Sequence, residues 1–320
     1  MGVSKEALEK VRGAYGKESV MKLSDSPSDV EFLSTGSLEL DYMLGGGFPK
    51  GRIIEIYGAE SVGKTTVTIE AIAAAQKAGL NAFFCDAEHA FDSSYAEDLG
   101  VDIDELIITQ PDNGEQALDV TRAMIDTGEV QLAIVDSTST LTPQAELEGE
   151  VGDAQMGLQA RMLSKALRML TASVKKHNCV LIFISQTRDK IGPFGGSSVG
   201  VGNAMKFYAS QRISIWKSAP EKVKEEAVGH MMNFESKKNK VFPPFKKCGV
   251  FLRYGEGYDT NAEVLTLCVD MGIAERKGAW YSYEGTKLGN GKENALKTLK
   301  ENPDLFDEMR EKAIEGLKQQ

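Results

Sequence analysis

The feature that most constrains the fold is a nine-residue segment near the start of the chain, Gly-Ala-Glu-Ser-Val-Gly-Lys-Thr-Thr at 58–66. Gly58, Gly63, Lys64 and Thr65 fill the four fixed positions of a phosphate-binding loop. Glycines let backbone N–H groups turn towards a polyphosphate, the lysine reaches its β- and γ-phosphates, and the threonine hydroxyl completes a Mg²⁺ shell. The segment therefore predicts a nucleoside triphosphate site formed by Gly58, Ala59, Glu60, Ser61, Val62, Gly63, Lys64, Thr65 and Thr66.

The pattern around this loop favours a doubly wound α/β fold. An apolar run at 52–57 leads into the loop and a helical pattern at 64–77 follows it, so the phosphates would lie at a helix N-terminus. Four further apolar runs are typical of parallel strands covered on both faces, with helical patterns at 114–127 and 157–177 between them. These four runs lie at 81–86, 105–108, 130–136 and 179–185.

The two ends of the chain differ from this alternating pattern. A helical spacing at 5–15 and a strand-like run at 19–23 form a segment that either packs on the main body or docks on a neighbouring subunit. Runs at 228–235 and 247–254 suggest an antiparallel extension of the sheet, and a small α/β module follows them. The predicted domains are residues 1–30, a core at 31–260 and a C-terminal domain at 261–320.

Charge is distributed unevenly along the chain. The net charge of −10 argues at face value against a nucleic-acid partner. However, residues 84–156 contain 18 acidic residues and one basic residue, whereas residues 157–217 contain ten basic residues and one acidic residue. This segregation predicts a positively charged surface that suits a polyanion. No apolar run approaches the length of a membrane span and no signal region is visible, so we expect a cytoplasmic protein.

Three polar residues follow predicted strands and suit phosphate chemistry. Asp136 ends an apolar run, where a carboxylate helps to orient Mg²⁺. Glu88 lies just beyond a neighbouring strand and is favoured to activate water, with Asp86 and His89 as competitors. The neutral amide of Gln186 can report whether a γ-phosphate is present, and it opens a glycine-rich loop at 187–202. This arrangement predicts a loop ordered by nucleotide, although an inert surface loop is the alternative.

Two basic segments complete the set. On the predicted helix at 157–177, Arg161, Lys165 and Arg168 share one face and leucines lie nearly opposite. That face joins two glycine-containing loops, which favours a track for a phosphate backbone over a merely solvated helix. The second segment, Lys237–Lys240, is either a solvated hairpin edge or a source of cations for nucleotide on an adjacent subunit.

These residues, in this order, resemble bacterial RecA recombinases from about Tyr15 to the last helix. The departures described below suit a compact, diverged member, bacterial or carried by a phage. The stretches that carry the resemblance are 34–37, 51–58 with the loop after it, 86–90, 110–116, 135–137, 148–153, 203–210 and 278–283.

The resemblance implies a DNA-dependent ATPase that uses ATP and Mg²⁺. It implies a helical filament on single-stranded DNA that exchanges strands with homologous duplex DNA in recombination, DNA repair and the SOS response. It also implies a RecA-type core with a largely parallel central sheet and a small C-terminal α/β domain. The N-terminal helix and strand would then be the piece that docks on the neighbouring subunit.

The resemblance also implies roles for individual residues. Glu88 would activate water, and Gln186 would couple ATP to the DNA loop. Phe207 would relay nucleotide state between subunits. Lys64 would act on the phosphates within its own subunit, and Lys238 and Lys240 would act on them from the neighbouring subunit. Thr65 and Asp136 would hold Mg²⁺, and the base would contact Asp92, Tyr95, Tyr254 and Gly255. DNA would contact Met156, Arg161, Ser164, Arg168, Arg188, Ile191 and Asn203.

The chain departs from the family pattern in places. Its second DNA loop is about two residues shorter, Ala59 stands where proline is common, and the frequent acidic C-terminal tail is missing. Two other functions share the same features: a hexameric helicase motor, and an ATP-switched DNA-binding scaffold without appreciable turnover. Glu88 and Gln186 weigh against the scaffold.

Overall fold

The computed structural model describes residues 3–16, 19, 20, 22, 30–150, 157–189, 197–199, 203–223 and 225–318, in two compact units, residues 1–31 and 32–320. In the first unit, helix α1 spans Lys5–Tyr15, as the sequence predicts. The Ser4 hydroxyl accepts a hydrogen bond from the Ala7 N–H at 3.2 Å and so begins the helix. No residue of α1 is buried. The strand-like run at 19–23 lies partly outside the described residues.

The second unit alternates strands and helices along most of its length. Its helices are α2 Leu38–Leu44, α3 Lys64–Lys77, α4 Ser93–Asp98, α5 Gly114–Asp126, α6 Gln144–Leu147, α7 Leu158–Lys176, α8 Ala204–Tyr208, α9 Thr260–Asp270, α10 Lys292–Glu301 and α11 Pro303–Lys318. Its strands are β1 Phe32–Leu33, β2 Phe48–Pro49, β3 Arg52–Gly58, β4 Ala82–Asp86, β5 Ile107–Thr109, β6 Leu132–Asp136, β7 Val180–Asp189, β8 Ser197–Val199, β9 Gln211–Lys217, β10 Glu221–Val223, β11 Glu226–Asn239, β12 Lys247–Arg253, β13 Gly257–Tyr258, β14 Ala274–Lys277, β15 Trp280–Tyr283 and β16 Thr286–Asn290.

The central sheet has the strand order β13-β12-β11-β9-β3-β7-β6-β4-β5. The strands from β9 to β5 pair in parallel, whereas β11, β12 and β13 add to β9 in antiparallel fashion. The order of the parallel strands in the sheet differs from their order in the chain. Helices connect these strands by crossing the faces of the sheet, as in a doubly wound fold. The predicted α/β class and the predicted antiparallel extension are confirmed.

Apolar side chains of the strands pack on both faces of the sheet. Because successive residues of a strand point to opposite faces, Ile54 and Ile56 of β3 join one hydrophobic cluster and Ile53 joins another. Helix α3 covers the first cluster with Val67 and Ile72, while helices α5 and α7 cover the second. The loop between β3 and α3 is therefore held by two buried elements.

Strand β5 departs from the prediction of a parallel strand covered on both faces. It spans Ile107–Thr109, not 105–108, and it is the last strand at one edge of the sheet. Ile107 and Ile108 are 48% and 43% exposed. An edge position explains the difference, because a short apolar run by itself does not reveal whether a neighbouring element covers the strand.

The C-terminal part of the second unit has a hydrophobic cluster of its own. Strands β14, β15 and β16 form a three-stranded antiparallel sheet beside α10 and α11. Glu263 of α9 connects this part to the core, since its carboxylate accepts hydrogen bonds from the Ser37 hydroxyl and from the N–H groups of Leu38 and Glu39. These donors begin α2, where a negative charge is favourable. Across the described ranges, no helix combines the length and apolar character that a bilayer crossing requires.

A buried ion pair joins β3 and β9, the parallel pair next to the antiparallel extension. Glu55 of β3 faces Arg212 of β9 in the parallel register. The Arg212 guanidinium donates to one oxygen of the fully buried Glu55 carboxylate and lies 4.8 Å from the centroid of the Tyr57 ring. Within the described ranges, the other carboxylate oxygen is buried and has no hydrogen-bond partner. The pair is therefore sensitive to loss of the cation.

We expect Arg212→Leu to lower the free energy of unfolding by about 3 kcal/mol, because it leaves the Glu55 carboxylate buried without its counter-charge. The double replacement of Glu55 and Arg212 by leucine should recover most of that loss. Denaturant titration of the wild type, both single variants and the double variant measures these differences. A double variant no more stable than Arg212→Leu would contradict the expectation.

Candidate nucleotide site

The loop at 58–66 runs from β3 into α3, as predicted. Gly63 has φ = 91°, a left-handed conformation that glycine adopts without strain. A Cβ atom on Gly63 would come within 2.8 Å of Met232 Cε, and one on Gly58 would come within 2.4 Å of the Ile215 carbonyl oxygen. Gly58 is therefore required by packing against the backbone of β9, and Gly63 by its left-handed backbone conformation.

Lys64 begins α3 and bends back over the loop. Its Nζ donates to the carbonyl oxygen of Ala59 at 2.6 Å and to that of Gly58 at 3.4 Å. Burial lowers the pKa of the Lys64 ammonium, and the nearby carboxylates of Asp136 and Glu88 oppose that shift. The ammonium thus stays at the loop, where a phosphate oxygen could replace a backbone carbonyl as its acceptor.

Thr65 and Asp136 are in direct contact. The Thr65 hydroxyl donates to Asp136 Oδ2 at 2.6 Å. Asp136 ends β6 and is 5% exposed; burial raises its pKa to about 6, although the hydrogen bond from Thr65 opposes the rise. The Thr65 hydroxyl is in the first turn of α3 and the Asp136 carboxylate is at the end of β6. These two oxygen donors suit Mg²⁺ when phosphates and water complete its shell.

Glu88 lies in the loop after β4, beside the end of β7. Its Oε1 accepts hydrogen bonds from the Ser137 hydroxyl at 2.6 Å and from the Gln186 amide at 3.0 Å. The strand register explains this meeting, since Gly58 pairs with Gln186 and Asp86 pairs with Asp136. The carboxylate, the amide and the phosphate loop therefore come to one edge of the sheet.

The two competitors of Glu88 have different surroundings. Asp86 is 2% exposed and accepts hydrogen bonds from the N–H groups of Ala90 and Phe91 and from the Gln110 amide. It therefore holds the loop that carries Glu88. His89 is exposed and has φ = 54°. These surroundings favour Glu88 as the group that faces a phosphate, which agrees with the preference drawn from the sequence.

Part of the predicted base-binding set lies beside the loop. The Asp92 carboxylate accepts from the Tyr95 N–H at 3.0 Å and begins α4, and Tyr95 Oη lies 3.4 Å from Thr66 Oγ1. In the described part of the chain, Tyr254 Oη instead lies 3.2 Å from His230 Nδ1, and Tyr254 makes no hydrogen bond to the loop. Gly255 follows it with φ = 78°.

Lys238 and Lys240 lie on and just beyond β11, away from the loop of their own chain. Lys238 Nζ donates to the carbonyl oxygen of Lys206 at 2.6 Å and to that of Phe207 at 3.4 Å, so it caps the end of α8. Burial, and then the positive charges of Lys240 and Arg212, lower the pKa of the Lys238 ammonium. Phe207 is 74% exposed.

The predicted basic helix is confirmed as α7. Arg161, Lys165 and Arg168 are exposed, while Leu163 and Leu167 are among the fully buried residues of the opposite face. Ser164 is half-buried on the helix, and Asn203 is exposed just before α8. Arg188 belongs to β7. The predicted contacts Met156 and Ile191 lie outside the described residues.

Two contacting residues escaped the sequence reasoning. Ser137 lies within the stretch 135–137 without an assigned role, yet its hydroxyl makes the shorter of the two hydrogen bonds to Glu88. Gln159 of α7 was not singled out, and its amide donates to backbone carbonyls just beyond Ser137. Neither residue type indicates such a contact in the sequence, because the fold determines which group the side chain meets.

Comparison with known proteins identifies relatives over nearly the whole chain. The profile of the RecA N-terminal domain matches residues 3–259, and that of the RecA C-terminal domain matches residues 262–318. Protein RecA of Rickettsia canadensis is 51% identical over 307 residues, which cover 95% of this chain and 90% of that protein. Protein RecA of Chloroherpeton thalassium is 52% identical over 307 residues, 95% and 86% of the two chains. Protein RecA of Haemophilus ducreyi is 50% identical over 315 residues, 97% and 84%.

Proposed function

The chain belongs to the RecA family, and we propose that it assembles on single-stranded DNA and pairs that strand with homologous duplex DNA, using ATP with Mg²⁺ in the cytoplasm. As a member of this family it is a DNA-dependent ATPase that forms filaments and acts as a recombinase in recombination, repair and the SOS response. The observation that carries the finer proposal is the hydrogen bond from Gln186 to Glu88, because it joins the hydrolytic carboxylate to the strand that leads into the second DNA loop.

Residues 58–66 would bind the phosphates of ATP. Lys64 would exchange the Ala59 carbonyl for β- and γ-phosphate oxygens, and the helix N-terminus behind it favours the negative charge. The contact between Thr65 and Asp136 supports a Mg²⁺ ion held by these two residues, which would neutralise charge on the phosphates. Asp92 and Tyr95 beside Thr66, with Tyr254 and Gly255, would contact the base.

Hydrolysis requires a water molecule in line with the γ-phosphate and a group that accepts its proton. Glu88 suits that role because two donors, Ser137 and Gln186, fix the position of its carboxylate. Gln186 can turn its amide from Glu88 to a γ-phosphate oxygen and so would report the presence of ATP. Because Gln186 lies on β7, that change would reach the loop that follows.

The site of one chain is completed by the next chain along the filament. Lys238 and Lys240 lie away from their own phosphate loop, which supports a role in trans on the neighbour's phosphates. To act there, Lys238 would leave the carbonyl oxygens at the end of α8, and Phe207 in that helix is exposed for a subunit contact. Helix α1, which has no buried residue, would dock on the neighbouring subunit.

DNA would lie along the exposed face of α7 and the loops that flank it. Arg161 and Arg168 would contact phosphates, which bind largely without regard to sequence. The exposed basic face of α7 supports this placement. The remaining proposed contacts are Met156, Ser164, Arg188, Ile191 and Asn203.

Purified protein should hydrolyse ATP faster when single-stranded DNA is added, and should form helical filaments visible by negative-stain microscopy. It should also exchange strands with homologous but not heterologous duplex DNA, and chelation of Mg²⁺ should stop hydrolysis. Closed rings that unwind duplex ahead of a tail would establish the helicase motor instead. Filaments with negligible turnover would establish the scaffold.

Glu88→Gln should bind ATP and single-stranded DNA but hydrolyse ATP about 100-fold more slowly, because an amide cannot accept the proton of water. Filaments should therefore persist after ATP is added. Steady-state turnover and filament lifetime measure the effect, with Glu97→Gln, on the exposed surface of α4, as the matched control. Undiminished turnover in Glu88→Gln would reject Glu88 as the base.

Arg161→Ala should weaken binding of single-stranded DNA and reduce the slope of log affinity against log salt by about 1, because one phosphate contact is lost. Lys176→Ala is the matched control, since Lys176 is exposed at the other end of the same helix, about 20 Å away. Fluorescence anisotropy with ATPγS over a range of salt measures both variants. An unchanged slope in Arg161→Ala would place the DNA elsewhere.

A further inference from the structure

The segment that follows β6, residues 137–142, contacts both the proposed hydrolytic carboxylate and the proposed DNA helix. At its start, Ser137 donates to Glu88. The next residue, Thr138, is tied to β7 through its N–H, which donates to the Ile184 carbonyl at 2.8 Å, and through its hydroxyl, 2.9 Å from Ser185 Oγ. The segment therefore contains one of the two donors to Glu88, Ser137, and is bonded to β7 next to the other donor, Gln186.

One side chain of α7 holds this segment. Nε2 of Gln159 lies 3.1 Å from the carbonyl oxygen of Thr138, 3.1 Å from that of Leu141 and 3.4 Å from that of Ser139. An amide nitrogen has two hydrogens, which these carbonyls share. Gln159 is half-buried in the first turn of the helix, two residues before Arg161 and on the opposite side of α7.

We propose that Gln159 is a positioning residue that couples DNA on α7 to the alignment of Glu88. The inference rests on the proposed function, since it takes α7 as the DNA helix and Glu88 as the base. A shift of the first turn of α7 on DNA binding moves the carbonyl oxygens that Gln159 holds. Ser137 and Thr138 move with them.

Small displacements of this segment matter for hydrolysis. Ser137 Oγ is only 2.6 Å from Glu88 Oε1, so a shift of the serine redirects the carboxylate. Misplacement of a reacting group by about 1 Å can cost a factor of about 100 in rate. DNA can thus accelerate hydrolysis by completing the alignment of Glu88 without touching the nucleotide.

This path differs from the one through Gln186. The Gln186 path runs along β7 to the second DNA loop, whereas the Gln159 path runs through residues 137–142 to the first turn of α7. Both paths end on the same carboxylate oxygen. Loss of Gln159 should therefore remove stimulation by DNA while the binding of ATP and DNA persists.

The test compares wild type with Gln159→Met, which keeps the length of the side chain and removes its donors. At saturating ATP and single-stranded DNA, the variant's kcat should fall about tenfold. The ATP concentration at half-maximal rate, the affinity for DNA in ATPγS and the thermal midpoint should each stay close to wild type. Gln159→Glu keeps the size of the side chain, but its carboxylate has no donor and is repelled by the three carbonyl oxygens, so its kcat should also fall.

Gln76→Met is the matched control, because the Gln76 amide also donates to a backbone carbonyl, that of Asp102 at 2.9 Å, on the exposed surface. It should retain wild-type stimulation. Full stimulation in both Gln159 variants, or an equal fall in kcat with and without DNA, would overturn the coupling while the proposed function stands. If DNA does not change the rate of ATP hydrolysis by the wild type, the proposed function is overturned, and the coupling with it.

Discussion

The register of the parallel strands is the constraint on which the rest of the structure depends. Parallel strands end at the same edge of a sheet, so pairing Gly58 with Gln186 and Asp86 with Asp136 gathers the phosphate loop, the amide and two carboxylates there. A shift of one residue in either pair would turn these side chains to the opposite face. The buried apolar residues of β3, β6 and β7 fix the register, because they must face the helices on both sides.

The sequence predicted the loop, the sheet class and the basic face of α7, because each follows from local spacing. A phosphate loop has fixed positions, buried parallel strands are continuous apolar runs, and a helix face recurs every three or four residues. Contacts made by the fold were not predictable in this way. The bonds of Ser137 to Glu88, of Gln159 to the 137–142 segment and of Lys238 to α8 join residues 18 or more positions apart. The exposure of β5 was missed for the same reason, since a neighbour is needed to cover an edge.

Net acidity does not oppose the proposed DNA contact, because charge acts locally. At physiological ionic strength a charge is screened within about 8 Å, so a phosphate backbone on α7 responds to Arg161 and its neighbours more than to the total of −10. The acidic segment before α7 includes Glu88 and Asp136, whose carboxylates belong to the proposed nucleotide site. In the proposed arrangement, the positively charged α7 lies near a nucleotide site that uses carboxylates. Communication between the two then passes through the hydrogen bonds that connect them.

In the proposed mechanism, both routes of communication end at Glu88. One oxygen accepts from Ser137 and from Gln186, and each hydrogen bond to a charged group contributes about 1.5–3 kcal/mol. A change in either donor alters the rate to the extent that this contribution differs between the ground state and the transition state. If Gln186 turns to a γ-phosphate, Ser137 becomes the remaining constraint on the carboxylate, and its position depends on α7. Under the proposed mechanism, fast hydrolysis depends on both ligands, because ATP releases one donor and DNA aligns the other.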